Sequence, residues 1–169
     1  MQINEDGLLF GNFEPSDCFH IENTKLYSKL KGRGFKSVEF VLHKPEERKL
    51  LFVEGKTTLP AADNIDKYDE EIAHISQKFM DSFQLSCGIW VGQYNSKVDL
   101  PANSAQFFMC GVQIVFVLVI KNRRGNLVRI AEKIKRKLSR EHRLLQFEVL
   151  VLNEEDARTY QLVVSEEQA

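Results

Sequence analysis

Two adjacent apolar segments constrain the fold of this chain more than any other feature. Residues 38–43 (Val-Glu-Phe-Val-Leu-His) and 49–56 (Lys-Leu-Leu-Phe-Val-Glu-Gly-Lys) are rich in β-branched and aromatic residues, and the polar stretch between them contains Pro45. Such a pattern predicts two β-strands joined by a turn. The second segment is apolar on both faces, which is typical of a strand in the middle of a sheet.

The second strand ends in two charged residues, Glu54 and Lys56. Alternate side chains of a strand point to the same face, so these two lie side by side. If residues 44–49 connect the strands, Glu39 lies directly across from Glu54 on that face, whereas a shift of one residue would separate them. Two clustered carboxylates repel unless a cation lies between them, and Mg²⁺ is held by such carboxylates. The alternative is a simple ion pair between Glu54 and Lys56, with Glu39 facing water.

The rest of the chain alternates between predicted helices and strands. This order predicts a single α/β domain over residues 1–169, with a mixed central β-sheet flanked by helices, in which a hairpin precedes crossover connections. We assign Trp90, Phe107 and Phe108 to the core. The further predicted strands are Leu8–Phe13, Val112–Ile120, Phe147–Leu152 and Tyr160–Val164. The predicted helices are Thr24–Lys31, a long helix that follows the loop Thr57–Asp63 and carries apolar residues from Ile72 to Trp90, and a helix from a cap at Asn126 to about His142.

A strongly basic segment lies in a chain whose net charge is only −1. From Lys121 to Arg143 there are ten Lys and Arg against two Glu, a balance of +8, so the remainder carries −9. Such asymmetry can make a phosphate-binding face on a nearly neutral protein, although a solvated helix face is the common alternative. The candidate nucleic-acid-binding residues on the predicted helix are Arg129, Lys133, Arg136, Lys137 and Arg140.

Cysteine use and the terminal segments indicate a cytoplasmic protein. Cys18, Cys87 and Cys110 are odd in number and show no CxxC spacing, which favours free thiols in a reducing compartment. The N-terminus is polar and acidic rather than signal-like, and the longest apolar run, Ile114–Ile120, is far too short to span a membrane. Residues Ser165–Ala169 are expected to form a solvated tail.

One short motif suggests nucleotide binding but fails on inspection. Gly55-Lys56-Thr57 is like the end of a phosphate-binding P-loop. The full pattern needs a second glycine five residues earlier, where this chain has Leu50 inside a predicted strand. We therefore reject nucleotide binding through a P-loop.

Glu39-Phe-Val-Leu on one strand and Val53-Glu-Gly-Lys56 on the next, followed by a helix, resemble the PD-(D/E)XK nuclease superfamily. The resemblance implies a restriction-endonuclease-like core from about Phe19 to Lys121, with an added C-terminal helix and strand. It also implies that Glu39, Glu54 and Lys56 are catalytic, and that Glu39 and Glu54 bind Mg²⁺ or Mn²⁺. Some members add a glutamate from the preceding helical region, for which Glu22 is the nearest candidate.

The resemblance implies metal-dependent hydrolysis of nucleic-acid phosphodiester bonds, with DNA favoured over RNA as partner. Small nucleases often dimerise to cut two strands, so a homodimer is one possible state, but nothing in the sequence locates an interface. Members sometimes place a polar residue near the phosphate on the following helix, but the sequence does not choose among His74, Gln77 and Lys78. Glu39 stands where the family usually has Asp. The alternatives are a non-catalytic nucleic-acid-binding or protein-interaction module on the same fold with an incomplete metal site, and an unrelated α/β binding domain.

Overall fold

The computed structural model describes residues 1–61, 63–103, 111–123 and 125–164, and the strands and helices below are those of this part of the chain. Besides these strands and α-helices, 3₁₀ helix covers Ile21–Asn23 and Gln93–Asp99. The strands are β1 (Ile3–Glu5), β2 (Leu8–Phe10), β3 (Cys18–Phe19), β4 (Phe40–Lys44), β5 (Lys49–Lys56), β6 (Gln113–Ile120) and β7 (Glu148–Asn153). The helices are α1 (Lys25–Leu30), α2 (Ile65–Trp90), α3 (Leu127–Lys137), α4 (Ser139–Leu145) and α5 (Glu154–Thr159).

The main sheet has the strand order β3-β4-β5-β6-β7 within the described residues. Strands β3, β4 and β5 pair antiparallel, whereas β5, β6 and β7 pair parallel, so the sheet is mixed. The predictions of an α/β fold, of a central β5 and of a hairpin followed by crossovers are confirmed. Both faces of β5 and β6 are covered, which explains their nearly continuous apolar sequences.

Helix α2 covers one face of this sheet, and aromatic packing fixes the position of the helix on the sheet. The Phe79 ring stacks on the Phe116 ring of β6, with centroids 4.9 Å apart and an interplanar angle of 11°. The Phe52 ring of β5 meets Phe116 edge-on at 5.6 Å. The helix begins after Asn64, whose side chain accepts a hydrogen bond from the Lys67 backbone N–H. It ends before Gly92, which adopts φ +85°.

The opposite face is covered by the small β1–β2 sheet and by α5. Phe10 of β2 is fully buried and packs edge-on against Phe40 of β4, with ring centroids 5.2 Å apart. Its ring also lies over Gly55, where an added Cβ would come within 3.3 Å of two ring atoms. The glycine between Glu54 and Lys56 therefore allows Phe10 to pack closely behind the strand end.

Two sequence-based element predictions are wrong in the C-terminal region. The helix expected from Asn126 to about His142 is broken at Leu138 into α3 and α4, and the Asn126 side chain makes no capping hydrogen bond. The strand expected over Tyr160–Val164 is absent from the described residues, where only Val163 forms an isolated bridge to Phe10. The Asn153 side chain accepts a hydrogen bond from the backbone N–H of Asp156 and so caps the N-terminus of α5. The chain therefore leaves β7 as a helix.

The N-terminal strand is shorter than the expected Leu8–Phe13. It ends at Phe10 and pairs with β1, a strand that the sequence did not predict. Trp90 was assigned to the core but is 38% exposed, because it lies in the last turn of α2. Phe107, Phe108, Cys110 and the tail Ser165–Ala169 lie outside the described residues.

The remaining sequence predictions concern the thiols and the membrane. Cys18 and Cys87 are free, as predicted. Burial raises the pKa of the Cys18 thiol to about 12, so this buried side chain is protonated at neutral pH. In the described part of the chain, every helix is too short or too polar to cross a lipid bilayer.

Candidate functional site

The β4–β5 hairpin brings Glu39 and Glu54 together at one end of the main sheet. Phe40 pairs with Val53, and the backbone N–H of Glu39, just before β4, donates to the Val53 carbonyl over 3.0 Å. Both carboxylates contact the same residue of α2, so they emerge on the face of the sheet that α2 covers. The juxtaposition expected from the turn length is observed, and the one-residue shift that would have separated the carboxylates is not.

One ammonium group lies between the two carboxylates. The Lys78 Nζ donates to Glu54 Oε1 over 2.7 Å and to Glu39 Oε1 over 3.5 Å. The Lys56 Nζ lies 3.5 Å from the same Glu54 oxygen and 3.4 Å from Glu71 Oε1. We refer to Glu39, Glu54, Lys56, Glu71 and Lys78 as the carboxylate cluster.

Burial differs sharply within the carboxylate cluster. The Glu54 side chain is 0% exposed, whereas those of Lys56 and Lys78 are 21% and 18% exposed. Glu54 Oε2 is buried and has no hydrogen-bond partner among the described residues. A buried carboxylate oxygen without a partner is costly and calls for a chemical explanation. Glu54 thus lies on the solvent-inaccessible side of the cluster, and Lys56 and Lys78 lie on the side that is partly exposed to solvent.

Desolvation dominates the protonation equilibria of the two acids. Burial raises the pKa of Glu54 to about 7, although the neighbouring Lys78 ammonium opposes the shift and the Glu39 carboxylate adds to it. Burial also raises the pKa of Glu39. For Lys78, burial alone would lower the pKa, but the Glu54 and Glu39 carboxylates together more than compensate and the pKa is raised. One ammonium therefore does not fully offset the cost of holding both carboxylates ionised.

Helix α2 contributes three polar side chains on one face. Glu71, His74 and Lys78 are spaced by three and four residues, so they follow one another along that face. The His74 Nδ1 lies 3.9 Å from Glu71 Oε2. Burial, followed by the positive charge of Lys36, lowers the pKa of His74, which favours a neutral imidazole at neutral pH. His74 therefore borders the cluster as a neutral group.

The structure places Glu22 near the cluster but not in it. Glu22 is exposed on the 3₁₀ turn before α1, where its Oε1 accepts hydrogen bonds from Ser37 Oγ at 2.7 Å and Tyr27 OH at 3.3 Å. Burial raises the pKa of Tyr27, and the Glu22 carboxylate adds to that shift. Among the described residues, Glu22 forms no ion pair with Lys56 or Lys78, so its assignment as a metal ligand stays a prediction.

The predicted basic face lies on the other side of α2. Its five residues, Arg129, Lys133, Arg136, Lys137 and Arg140, are all exposed, as predicted. The Lys133 Nζ donates to Asp69 Oδ1 over 2.8 Å and lies over the Tyr68 ring. Helical periodicity places Asp69 on the face of α2 opposite Glu71 and Lys78. The basic helix and the carboxylate cluster therefore do not line one common cleft.

Sequence reasoning identified Glu39, Glu54 and Lys56 but did not select the α2 residues that complete the cluster. The available signal was the spacing of Glu71, His74 and Lys78 on one helical face, beside the apolar stripe that continues through Phe79. Within the described residues, there is no group of three or more His, Cys, Asp or Glu side chains placed to hold a metal ion. Protein ligands for a cation would come from the two carboxylates that converge on Lys78.

The fold and the cluster define an α/β protein with a mixed sheet and a buried carboxylate at the end of its central strand. In comparisons with protein-family models, curated proteins and solved structures, none matched this chain. The function is therefore argued from the chemistry of the cluster itself.

Proposed function

We propose that this chain is a metal-dependent nuclease that hydrolyses nucleic-acid phosphodiester bonds, with DNA favoured as substrate. The observation that carries the proposal is the convergence of two carboxylates from neighbouring strands on a single cationic group, next to a buried Glu54 oxygen that lacks a partner among the described residues. Carboxylate oxygens are the ligands that Mg²⁺ and Mn²⁺ prefer, with waters and substrate oxygens completing the shell.

The residues present fit a divalent cation. Glu39 and Glu54 would hold it, because their carboxylates converge on one point and the cluster has three carboxylates but only two ammonium groups. The bound ion would supply Lewis acidity and a more acidic water. Lys56 lies beside Glu54 and is partly exposed, so its ammonium can contact a phosphate that approaches from solvent. Glu71 holds the Lys56 ammonium on its other side and so positions it.

Membership of the PD-(D/E)XK superfamily is part of the proposal. The order α1, β4, β5, α2, β6 supports it, since it is the helix–strand–strand–helix–strand order expected of a restriction-endonuclease-like core. Helix α3 and strand β7 would then be C-terminal additions. Glu39 lies just before β4 rather than within it, and its carboxylate contacts the same Lys78 ammonium as Glu54.

The basic face of α3 supports a nucleic-acid partner. Arg129, Arg136 and Lys137 on α3 are exposed cations, and Arg140 on α4 adds a fourth, which suits sequence-independent contact with phosphates. A polymer extends far beyond the phosphate being cleaved, so it can contact α3 and the carboxylate cluster on different sides of α2. Lys133 would contribute less, since it is already paired with Asp69.

A second candidate function is a non-catalytic nucleic-acid-binding or protein-interaction module. One observation favours it: the Lys78 ammonium already contacts both carboxylates, so the cluster can persist as an ion-pair network without a metal. Metal binding separates the two candidates.

The test is thermal unfolding with and without Mn²⁺ at fixed pH and ionic strength. Mn²⁺ should raise the melting temperature of the wild type but not of Glu54→Gln, which keeps the shape of the side chain and removes its charge. Glu47→Gln is the matched control, because Glu47 is an exposed carboxylate that also contacts two lysines. Equal responses of wild type and Glu54→Gln would reject the metal site.

Catalysis is tested separately on plasmid and single-stranded DNA with Mg²⁺. Lys56→Ala should reduce the cleavage rate by at least about a hundredfold, in line with the loss of one preorganised charge at a developing anion. Cleavage that survives unchanged in Lys56→Ala and Glu54→Gln would indicate a contaminant and would contradict the nuclease proposal.

A further inference from the structure

Lys78 occupies the point on which the two carboxylates converge. Its Nζ is 2.7 Å from Glu54 Oε1 and 3.5 Å from Glu39 Oε1. Lys56 is placed differently, because it contacts Glu54 at 3.5 Å and otherwise turns to Glu71. Lys78 thus bridges the proposed metal ligands, whereas Lys56 flanks them.

We propose that the Lys78 ammonium is a built-in competitor for the divalent cation, so that Mg²⁺ or Mn²⁺ enters the cluster only by displacing it. This regulation of the site rests on the proposed function, since it needs Glu39 and Glu54 to be metal ligands. A cation coordinated by both carboxylates and an ammonium hydrogen-bonded to the same oxygens repel each other strongly at such short range.

Charge balance favours the exchange. When all of its members are ionised, the cluster has three carboxylates and two ammonium groups, a balance of −1. A divalent cation in place of the Lys78 ammonium brings this balance to zero and can also coordinate Glu54 Oε2, the oxygen without a partner among the described residues. The metal-bound cluster is therefore better satisfied than the Lys78-bound cluster, although Lys78 has the advantage of being tethered.

Lys78 has a route out of the cluster. Its side chain is 18% exposed and extends from α2 on a flexible four-carbon stem, and its ammonium is strongly hydrated once it reaches water. Glu54, by contrast, is fixed on β5 between neighbouring strands and is not exposed. Exchange thus requires a change in one lysine side chain and leaves the sheet in place.

At low metal concentration, the Lys78 ammonium therefore stays between the two carboxylates and occupies the position that the metal would take. Removal of the competitor should raise metal affinity, whereas removal of an ordinary positioning lysine should not. Lys78→Met keeps the length and apolar packing of the stem and deletes the charge.

The experiment measures Mn²⁺ binding from the electron paramagnetic resonance signal of free Mn²⁺, on wild type, Lys78→Met and Lys49→Met. Lys49 is the matched control, since it forms an exposed pair with Glu47 at the other end of β5. We expect Lys78→Met to bind Mn²⁺ about tenfold more tightly than the wild type, and Lys49→Met to bind like the wild type. Circular dichroism verifies folding, and Lys78→Gln, which should shift affinity in the same direction, replaces Lys78→Met if that variant does not fold.

The outcomes distinguish this inference from the proposed function. If wild type and Lys78→Met bind Mn²⁺ with equal affinity, or Lys78→Met binds more weakly, competition is wrong while the metal site stands. If none of the proteins binds Mn²⁺ at millimolar concentration, both the inference and the proposed function are wrong. If Lys49→Met tightens binding as much as Lys78→Met, the effect is a general one of net charge and competition is again wrong.

Discussion

Two ion pairs, one on each side of α2, have nearly the same length but very different surroundings. Lys78 Nζ lies 2.7 Å from Glu54 Oε1 in the carboxylate cluster, and Lys133 Nζ lies 2.8 Å from Asp69 Oδ1 on the basic face. The first pair is 18% and 0% exposed, whereas the second is 43% and 57% exposed. Water screens the attraction between Lys133 and Asp69, so that pair contributes little to stability. Lys78 and Glu54 are largely removed from water, so the loss of either partner would leave a poorly solvated charge. Burial, rather than distance, distinguishes the two pairs.

The largest effect is expected when the buried pair is broken. At pH 8 and without divalent cations, Lys78→Met should lower the free energy of unfolding by about 3 to 4 kcal/mol, because it removes the nearer of the two ammonium groups at the buried Glu54 carboxylate and leaves only Lys56, at 3.5 Å. Lys133→Met should cost less than about 1 kcal/mol. Urea denaturation of both variants measures the difference, and equal losses would show that the two pairs are energetically alike.

A smaller effect is expected in the pH dependence of stability. The folded-state pKa of Glu54 is raised to about 7, so the native state holds a proton that the unfolded state releases near pH 4.5. This contribution is fully present below the unfolded pKa and is lost as pH rises through about 7, so ionisation of Glu54 destabilises the fold. Relative to Glu54→Gln, the wild type should lose on the order of 3 kcal/mol between pH 4 and pH 8 in the presence of a chelator.

Denaturation curves of wild type and Glu54→Gln at several pH values test this prediction. Asp69→Asn is the control on the exposed pair and should run parallel to the wild type, because a solvated carboxylate gains little from its partner. A constant difference between wild type and Glu54→Gln across the range would mean that Glu54 ionises in the fold as easily as in water.

The smallest effect on stability is expected on the basic face. The triple variant Arg129→Gln, Arg136→Gln, Lys137→Gln should change the free energy of unfolding by no more than about 0.5 kcal/mol per site, because these side chains are exposed. Its effect should appear instead in DNA binding, where the slope of log affinity against log salt should shrink by about 2 to 3. Fluorescence anisotropy at several salt concentrations measures this slope, and a wild-type affinity that does not depend on salt would remove α3 from the nucleic-acid interface.

Local sequence patterns predicted the strands that are buried on both faces. β5 and β6 were recognised because both of their faces are apolar, and the start of the hairpin turn at Lys44 set the register that brings Glu39 to Glu54. The break at Leu138 was missed because the segment from Asn126 to His142 contains no Gly or Pro to mark a helix end. Strand β1, the partner of β2, was missed because it is three residues long and gains its stability from packing under the main sheet.

The sequence by itself determined that a glutamate and a lysine share one face at the end of a central strand, with a second glutamate across from them. It did so because strand alternation and turn length are local properties. Only the tertiary structure decided that Lys78 lies between the carboxylates and that the basic helix faces away from them. Both depend on how α2 is seated on the sheet, which the packing of Phe79 on Phe116 fixes between residues far apart in the chain.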